Sequence, residues 1–189
     1  MTKERLIVGV SGASGAPLAV EVLRVLKNSQ YESHLILTRG AELTIPDETG
    51  LSIDAFKALA DVVYDNDSIG AGPASGSFRT AGMLIVPCSM KTVAGIHSGY
   101  SDNLLLRAAD VTLKERRKLV LVARESPLST IHLRNLYELS QMGVVILPPM
   151  PNYYCKPVSI EDMTRQIAGR VLDQFGVETD SLRRWEGLT

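Results

Sequence analysis

Five short runs of Val, Ile and Leu, at residues 6–10, 34–37, 83–86, 119–123 and 144–147, punctuate the chain. They are nearly continuous rather than alternating, the pattern of strands buried on both faces of a parallel sheet. The segments between them carry a helical period. Residues 16–28 set Leu18, Val22, Val25 and Leu26 along one face, after a proline at Pro17 whose missing N–H is harmless in a first turn. Residues 103–117 do the same with Leu104, Ala108, Val111 and Thr112, and residues 129–142 with Leu133, Leu136 and Leu139. The last segment, 160–175, lines up Ile160, Met163, Ile167, Val171 and Phe175. Strand and helix in alternation predict a three-layer α/β/α sandwich, an open parallel sheet of Rossmann-like or flavodoxin-like type, as one domain over residues 1–189. Residues 46–50, 65–80 and 148–157 read as irregular. In such sheets ligands sit beyond the carboxyl ends of the strands.

Charge and cysteine usage narrow the function. Twenty Lys and Arg against twenty-one Asp and Glu give a net charge of −1, which provides no general attraction for nucleic acid or an anionic membrane. Cys88 and Cys155 form no CxxC pair, and His34, His97 and His132 have no metal-ligand spacing, so no metal is expected. No apolar run approaches the ~20 residues of a membrane span. The polar start of the chain lacks a signal-peptide pattern, and two isolated thiols suit a reducing compartment. A cytoplasmic location is expected.

Three motifs fall at strand ends. The first, Gly9-Val10-Ser11-Gly12-Ala13-Ser14-Gly15, puts three glycines and two serines between a strand and a helix. Its amides can face a phosphate or the edge of a ring. A dinucleotide site would want an acidic residue after the second strand, where this chain has Thr38-Arg39. That pair suits a phosphate, either of a mononucleotide such as FMN or of NADP. The second motif, Pro87-Cys88-Ser89-Met90-Lys91-Thr92, makes another anion-capable helix start, though a serine there is also an ordinary N-cap. Cys88 is expected to pack as a small buried hydrophobe. The third motif joins Lys114, at a helix end, to Arg124-Glu125, a charged pair at the end of the fourth strand. The stiff segment from Pro148 to Tyr154 and the lone Trp185 in a polar tail supply aromatic rings.

These motifs together resemble the UbiX family of flavin prenyltransferases, including its branch associated with phenolic acid decarboxylases. The resemblance covers nearly the whole chain. It rests on GASGA (12–16), ASGS (74–77), PCSMKT (87–92), RAADVTLKERRKLVLVARESP (107–127), IHLRN (131–135) and PPMPNYY (148–154), of which residues 107–127 are the most specific.

The resemblance implies transfer of a dimethylallyl group from dimethylallyl monophosphate to N5 and then C6 of reduced FMN, without metal. The product, prenylated FMN, would serve a UbiD-type decarboxylase. It further implies that Gly12, Ala13, Ser14, Thr38, Ser89, Met90, Lys91, Thr92 and Arg124 bind FMN, with Ser14 near N5. Lys114, Tyr154, Arg170 and Trp185 are expected at the prenyl phosphate. Ser14, Glu48, Glu125 and Lys114 are the expected catalytic groups, Glu125 as proton donor to the leaving phosphate. A homo-oligomer, a dodecamer by resemblance, is expected, with the tail from about residue 176 to 189 reaching a neighbouring subunit. Two positions depart from the family pattern: Ile69 stands where some relatives have Trp, and Cys155 where His is frequent.

Two alternatives accompany this expectation. One is a non-catalytic FMN-binding accessory subunit of a decarboxylase, for which the leaving-group residues would be superfluous. The other is an FMN-dependent enzyme of the cysteine-decarboxylase type, which uses a His in the first helix; residues 16–28 contain none. An NADP oxidoreductase would rest on Arg39 alone.

Overall fold

A computed structural model describes residues 3–187 of the protein. The expected domain and its tail therefore extend, at residues 1–2 and 188–189, outside the described residues. Six strands, β1 (Glu4–Val10), β2 (Tyr31–Leu37), β3 (Val62–Tyr64), β4 (Gly82–Cys88), β5 (Lys118–Ala123) and β6 (Val145–Ile146), form one sheet in the order β3-β2-β1-β4-β5-β6. Every neighbouring pair is parallel. Among the described residues the helices are α1 (Ala16–Lys27), α2 (Arg39–Thr49), α3 (Ile53–Lys57), α4 (Met90–Ser98), α5 (Leu104–Lys114), α6 (Thr130–Gln141) and α7 (Ile160–Leu172).

Because alternate residues of a strand face opposite sides, the sheet divides the core in two. Leu6, Val8 and Val10 pack with α1, α2, α3 and α7. Ile7, Met83, Ile85 and Leu121 pack with α4, α5 and α6. This is the expected three-layer sandwich, and its strand order is that of the doubly wound dinucleotide-binding sheet.

Several expectations are corrected. The segment 46–50 is not irregular: α2 runs through Pro46 to Thr49, where Gly50 (φ 68°) closes it by donating its N–H to the Pro46 carbonyl at 3.0 Å. An interior proline costs a helix about 3 kcal/mol. Burial of Ala41 and Ile45 in the turns before it opposes the cost. Segment 65–80 is irregular as expected, apart from one turn. It contains a 3-10 turn at Gly72–Ala74, and Arg117 donates to the carbonyls of Gly76 and Phe78. Strand β3 and helix α3 fall outside the periodic segments. Leu133 and Ile160, assigned to apolar faces, are exposed. Among the described residues no helix is long and apolar enough to cross a membrane.

Candidate active site

From β1 the chain winds through β2 to β3, and from β4 through β5 to β6, so the loops after β1 and β4 leave in opposite directions and open a crevice between them. Ser11 stitches its two walls together. Its buried hydroxyl donates to the Pro87 carbonyl at 3.0 Å and accepts the Ser89 N–H at 2.7 Å. Gly12 then passes Gly40 backbone against backbone. A Cβ on Gly12 would lie 2.7 Å from the Gly40 Cα, and one on Gly40 would lie 3.0 Å from the Gly12 Cα. Ser11 and Gly40 are not among the residues expected from the sequence. Their signal was a small residue soon after each of two neighbouring parallel strands.

The N-terminus of α1 is already filled. One oxygen of Glu48, carried on the last turn of α2, accepts the N–H groups of Gly15 and Ala16, each at 2.8 Å. Pro17 has no N–H, and that of Leu18 bonds to the Gly15 carbonyl at 3.0 Å. The donors at the start of α1 are thus consumed within the chain, so this helix start does not serve a phosphate. Burial opposes ionisation of Glu48. The Gly15 amide, the Ser14 hydroxyl, the Ala16 amide and the charge of Arg124 outweigh it and hold the carboxyl below its ordinary range.

Two other helix starts remain for an anion. Thr38 caps α2, accepting the Ala41 N–H at 3.2 Å, with Arg39 exposed beside it. Ser89 caps α4, accepting the Thr92 N–H at 3.3 Å and pairing with the Thr92 hydroxyl at 3.1 Å. That cap leaves the Met90 and Lys91 amides open at the start of α4, with the Lys91 side chain exposed beside them. Arg124 is drawn to the same place by its N–H, which bonds to the Cys88 carbonyl at 3.0 Å. Glu125 follows it, exposed, one oxygen accepting the Ser126 N–H at 3.1 Å. Cys88 is fully buried, and burial pushes its thiol far up, so it packs rather than reacts. A bare backbone floor, hydroxyls, open amides and the three cations Arg39, Lys91 and Arg124 form a donor set that fits a flavin mononucleotide.

The remaining expected residues lie elsewhere in the chain. Lys114 ends α5, which runs against the strands, and so sits at the amino-terminal end of the strands, opposite the crevice. There it pairs with Glu115 at 2.5 Å, beside Gly76 of the ASGS motif. Arg170 lies on α7, across the sheet from α5, and bonds Asp173 at 2.6 Å. Tyr154 and Trp185 meet edge to face at 5.5 Å near that helix. Ile69 is exposed, whereas Cys155 is buried and bonded to the Asn152 carbonyl. Among the described residues no group of three or more His, Cys, Asp or Glu is placed to hold a metal.

The model of the family described as Flavoprotein matches residues 1–172. A "probable UbiX-like flavin prenyltransferase" of Streptomyces sp. (strain D7) is 53% identical over 185 residues, covering 97% of this chain and 92% of the relative. The crystal structure of AnUbiX (PadA1), in complex with FMN and dimethylallyl pyrophosphate, superposes with a TM-score of 0.97 at 50% identity, covering 99% of this chain and 100% of the other. That of a dodecameric FMN-dependent UbiX-like decarboxylase from Escherichia coli O157:H7 does so with a TM-score of 0.95 at 52% identity, covering 97% and 100%. With half its residues identical to relatives that it spans almost end to end, the chain belongs to the UbiX-like flavin prenyltransferase family.

Proposed function

We propose that this protein is a metal-independent flavin prenyltransferase, joining the dimethylallyl group of dimethylallyl monophosphate to N5 and C6 of reduced FMN. The observation that carries this reading is the near-complete superposition on AnUbiX, a relative in complex with FMN and dimethylallyl pyrophosphate. The switch-point crevice, with its donors for a flavin phosphate, supports it independently.

When bound, the reduced flavin supplies the nucleophile. The chain supplies position and charge. The amides of Met90 and Lys91 and the Lys91 ammonium take the flavin phosphate, with Ser89 and Thr92 holding their turn, while Gly12, Ala13 and Ser14 border the ring and Thr38 and Arg124 flank it. Glu48 stays ionised beside the Ser14 hydroxyl, and its negative charge orients that hydroxyl at the edge of the ring. Lys114, Arg170 and the Tyr154 hydroxyl hold the prenyl phosphate, where fixed cations stabilise the negative charge that develops as the allylic C–O bond breaks. Tyr154 and Trp185 offer aromatic faces to the allylic cation. Glu125 delivers a proton to the departing phosphate.

Within one chain Lys114 and Arg170 lie away from the crevice and on opposite sides of the sheet, so this reading draws them from neighbouring copies in a homo-oligomer. The dodecameric assembly of the E. coli relative supports that arrangement. The product would pass to a UbiD-type decarboxylase in the cytoplasm.

Phosphate release tests the reading. Dimethylallyl monophosphate should yield inorganic phosphate, one equivalent per flavin, only when reduced FMN is present. Absence of release would leave an FMN-holding accessory subunit as the function.

A further inference from the structure

The last described stretch of chain does not trail into solvent. It folds back along α7 and is fastened at four points. Gln166, buried within α7, uses both ends of its carboxamide on one residue: Nε2 donates to the Arg183 carbonyl and Oε1 accepts the Arg183 N–H, each at 2.9 Å. Gly169, one turn on, lets the returning chain lie against the helix, since a Cβ there would stand 2.8 Å from the Thr179 Oγ1 and 3.1 Å from the Leu182 Cβ. The Arg183 guanidinium donates to the Cys155 carbonyl at 2.6 Å, and the Tyr154 hydroxyl donates to the Arg183 carbonyl at 3.4 Å. Finally, Asp173 accepts from Arg170 through one oxygen at 2.6 Å and from Arg184 through the other at 2.5 Å.

We propose that Gln166 and Asp173 are positioning residues that fasten this strap, so that Tyr154, Arg170 and Trp185 stand as one preassembled half-site for the prenyl phosphate. The inference rests on the functional reading above. Its physical basis is charge and order. Two guanidinium groups converging on one place repel each other unless an anion lies between them, and Asp173 is that anion, with only 19% of its side chain exposed. Together the three groups carry a net charge of one positive unit, of the sign that attracts a phosphate monoester. The Gln166 clasp fixes Arg183, which orients Tyr154 on one side and carries Trp185 two residues on. Holding these groups in place before the substrate arrives lowers the ordering cost of binding it. Neither positioning residue needs to touch the substrate.

The test uses FMN-loaded protein carrying Asp173→Asn, Asp173→Glu, Gln166→Ala or Arg184→Gln. Arg184 is exposed, so its replacement carries little risk to folding. Each variant is compared in KM for dimethylallyl monophosphate, kcat, FMN affinity and the emission of Trp185, the sole tryptophan. Asp173→Asn and Gln166→Ala should raise KM about 10-fold with kcat within about 2-fold and FMN affinity unchanged, the signature of lost ground-state positioning. Asp173→Glu should recover part of the loss, Arg184→Gln should share it, and Gln166→Ala should move Trp185 emission to the red. Unchanged KM in Asp173→Asn, Gln166→Ala and Arg184→Gln, while Arg170→Ala raises it, would overturn the strap and leave the half-site standing. Unchanged KM in Arg170→Ala as well would overturn the half-site itself.

Discussion

Glu48 and Gly15, 33 positions apart in sequence, meet at 2.8 Å, where a carboxylate oxygen accepts the amide of the residue that caps α1. The contact fills the start of α1 from within the chain. A helix start facing a ligand crevice is ordinarily a place for the ligand's phosphate, and here the chain's own anion occupies it. The open helix starts are those of α2 and α4.

Glu48→Gln keeps an acceptor for the two amides but removes the charge at a helix N-terminus, and should cost about 1 kcal/mol. Because the folded-state pKa is lowered, the stabilisation is complete above the unfolded value. It is lost as pH falls through the folded one. Thermal melts should therefore separate wild type from variant at pH 7, with the gap shrinking below about pH 4.3 and closing in stronger acid. A gap independent of pH would contradict an ionised Glu48.

Gly12→Ala should destabilise the fold and loosen the crevice, since the new methyl would meet the Gly40 backbone at 2.7 Å. Overpacking of this kind costs about 1–3 kcal/mol. A lower Tm together with weaker FMN binding is the expected result, measured by melting and by flavin titration.

Lys91→Met should weaken FMN binding about 10-fold or more, the loss of one charge-assisted phosphate contact, and leave riboflavin binding unchanged. Calorimetric titration with both flavins checks this. Equal losses for the two would place Lys91 at the ring rather than at the phosphate.

Lys114→Ala and Arg124→Ala should each abolish turnover. Co-expressed with different tags and purified as mixed assemblies, the two variants should recover part of it, because some sites then draw both residues from intact copies. Mixed assemblies no more active than either parent would mean that both residues serve one site from one chain.

The aliphatic runs announced five of the six strands: the four central ones, apolar on both faces, and the edge strand β6, whose run from 144 to 147 is unbroken. β3 escaped because three residues at an edge, Val62-Val63-Tyr64, have no period to show. Helix α2 was hidden by Pro46, which ends most helices, and with it the path that brings Glu48 to α1. Motifs at strand ends were legible, since they declare both residue type and place: Gly12 and Ser14 follow β1, Ser89 and Lys91 follow β4, and Arg124 follows β5. Lys114 and Arg170 were legible as cations but not as neighbours of anything. Their places depend on how the crossovers lay α5 and α7 on opposite faces, which local spacing does not encode. Gln166 and Asp173 gave no motif at all; their meaning lies in what the returning strap does against them.

The most direct measurement is the mass of the flavin. Purified protein incubated anaerobically with reduced FMN and dimethylallyl monophosphate, in the presence of a metal chelator, should convert FMN to a species heavier by one C5H8 unit. Recovery of FMN at its original mass, from protein shown to have bound it, would contradict prenyl transfer as the function.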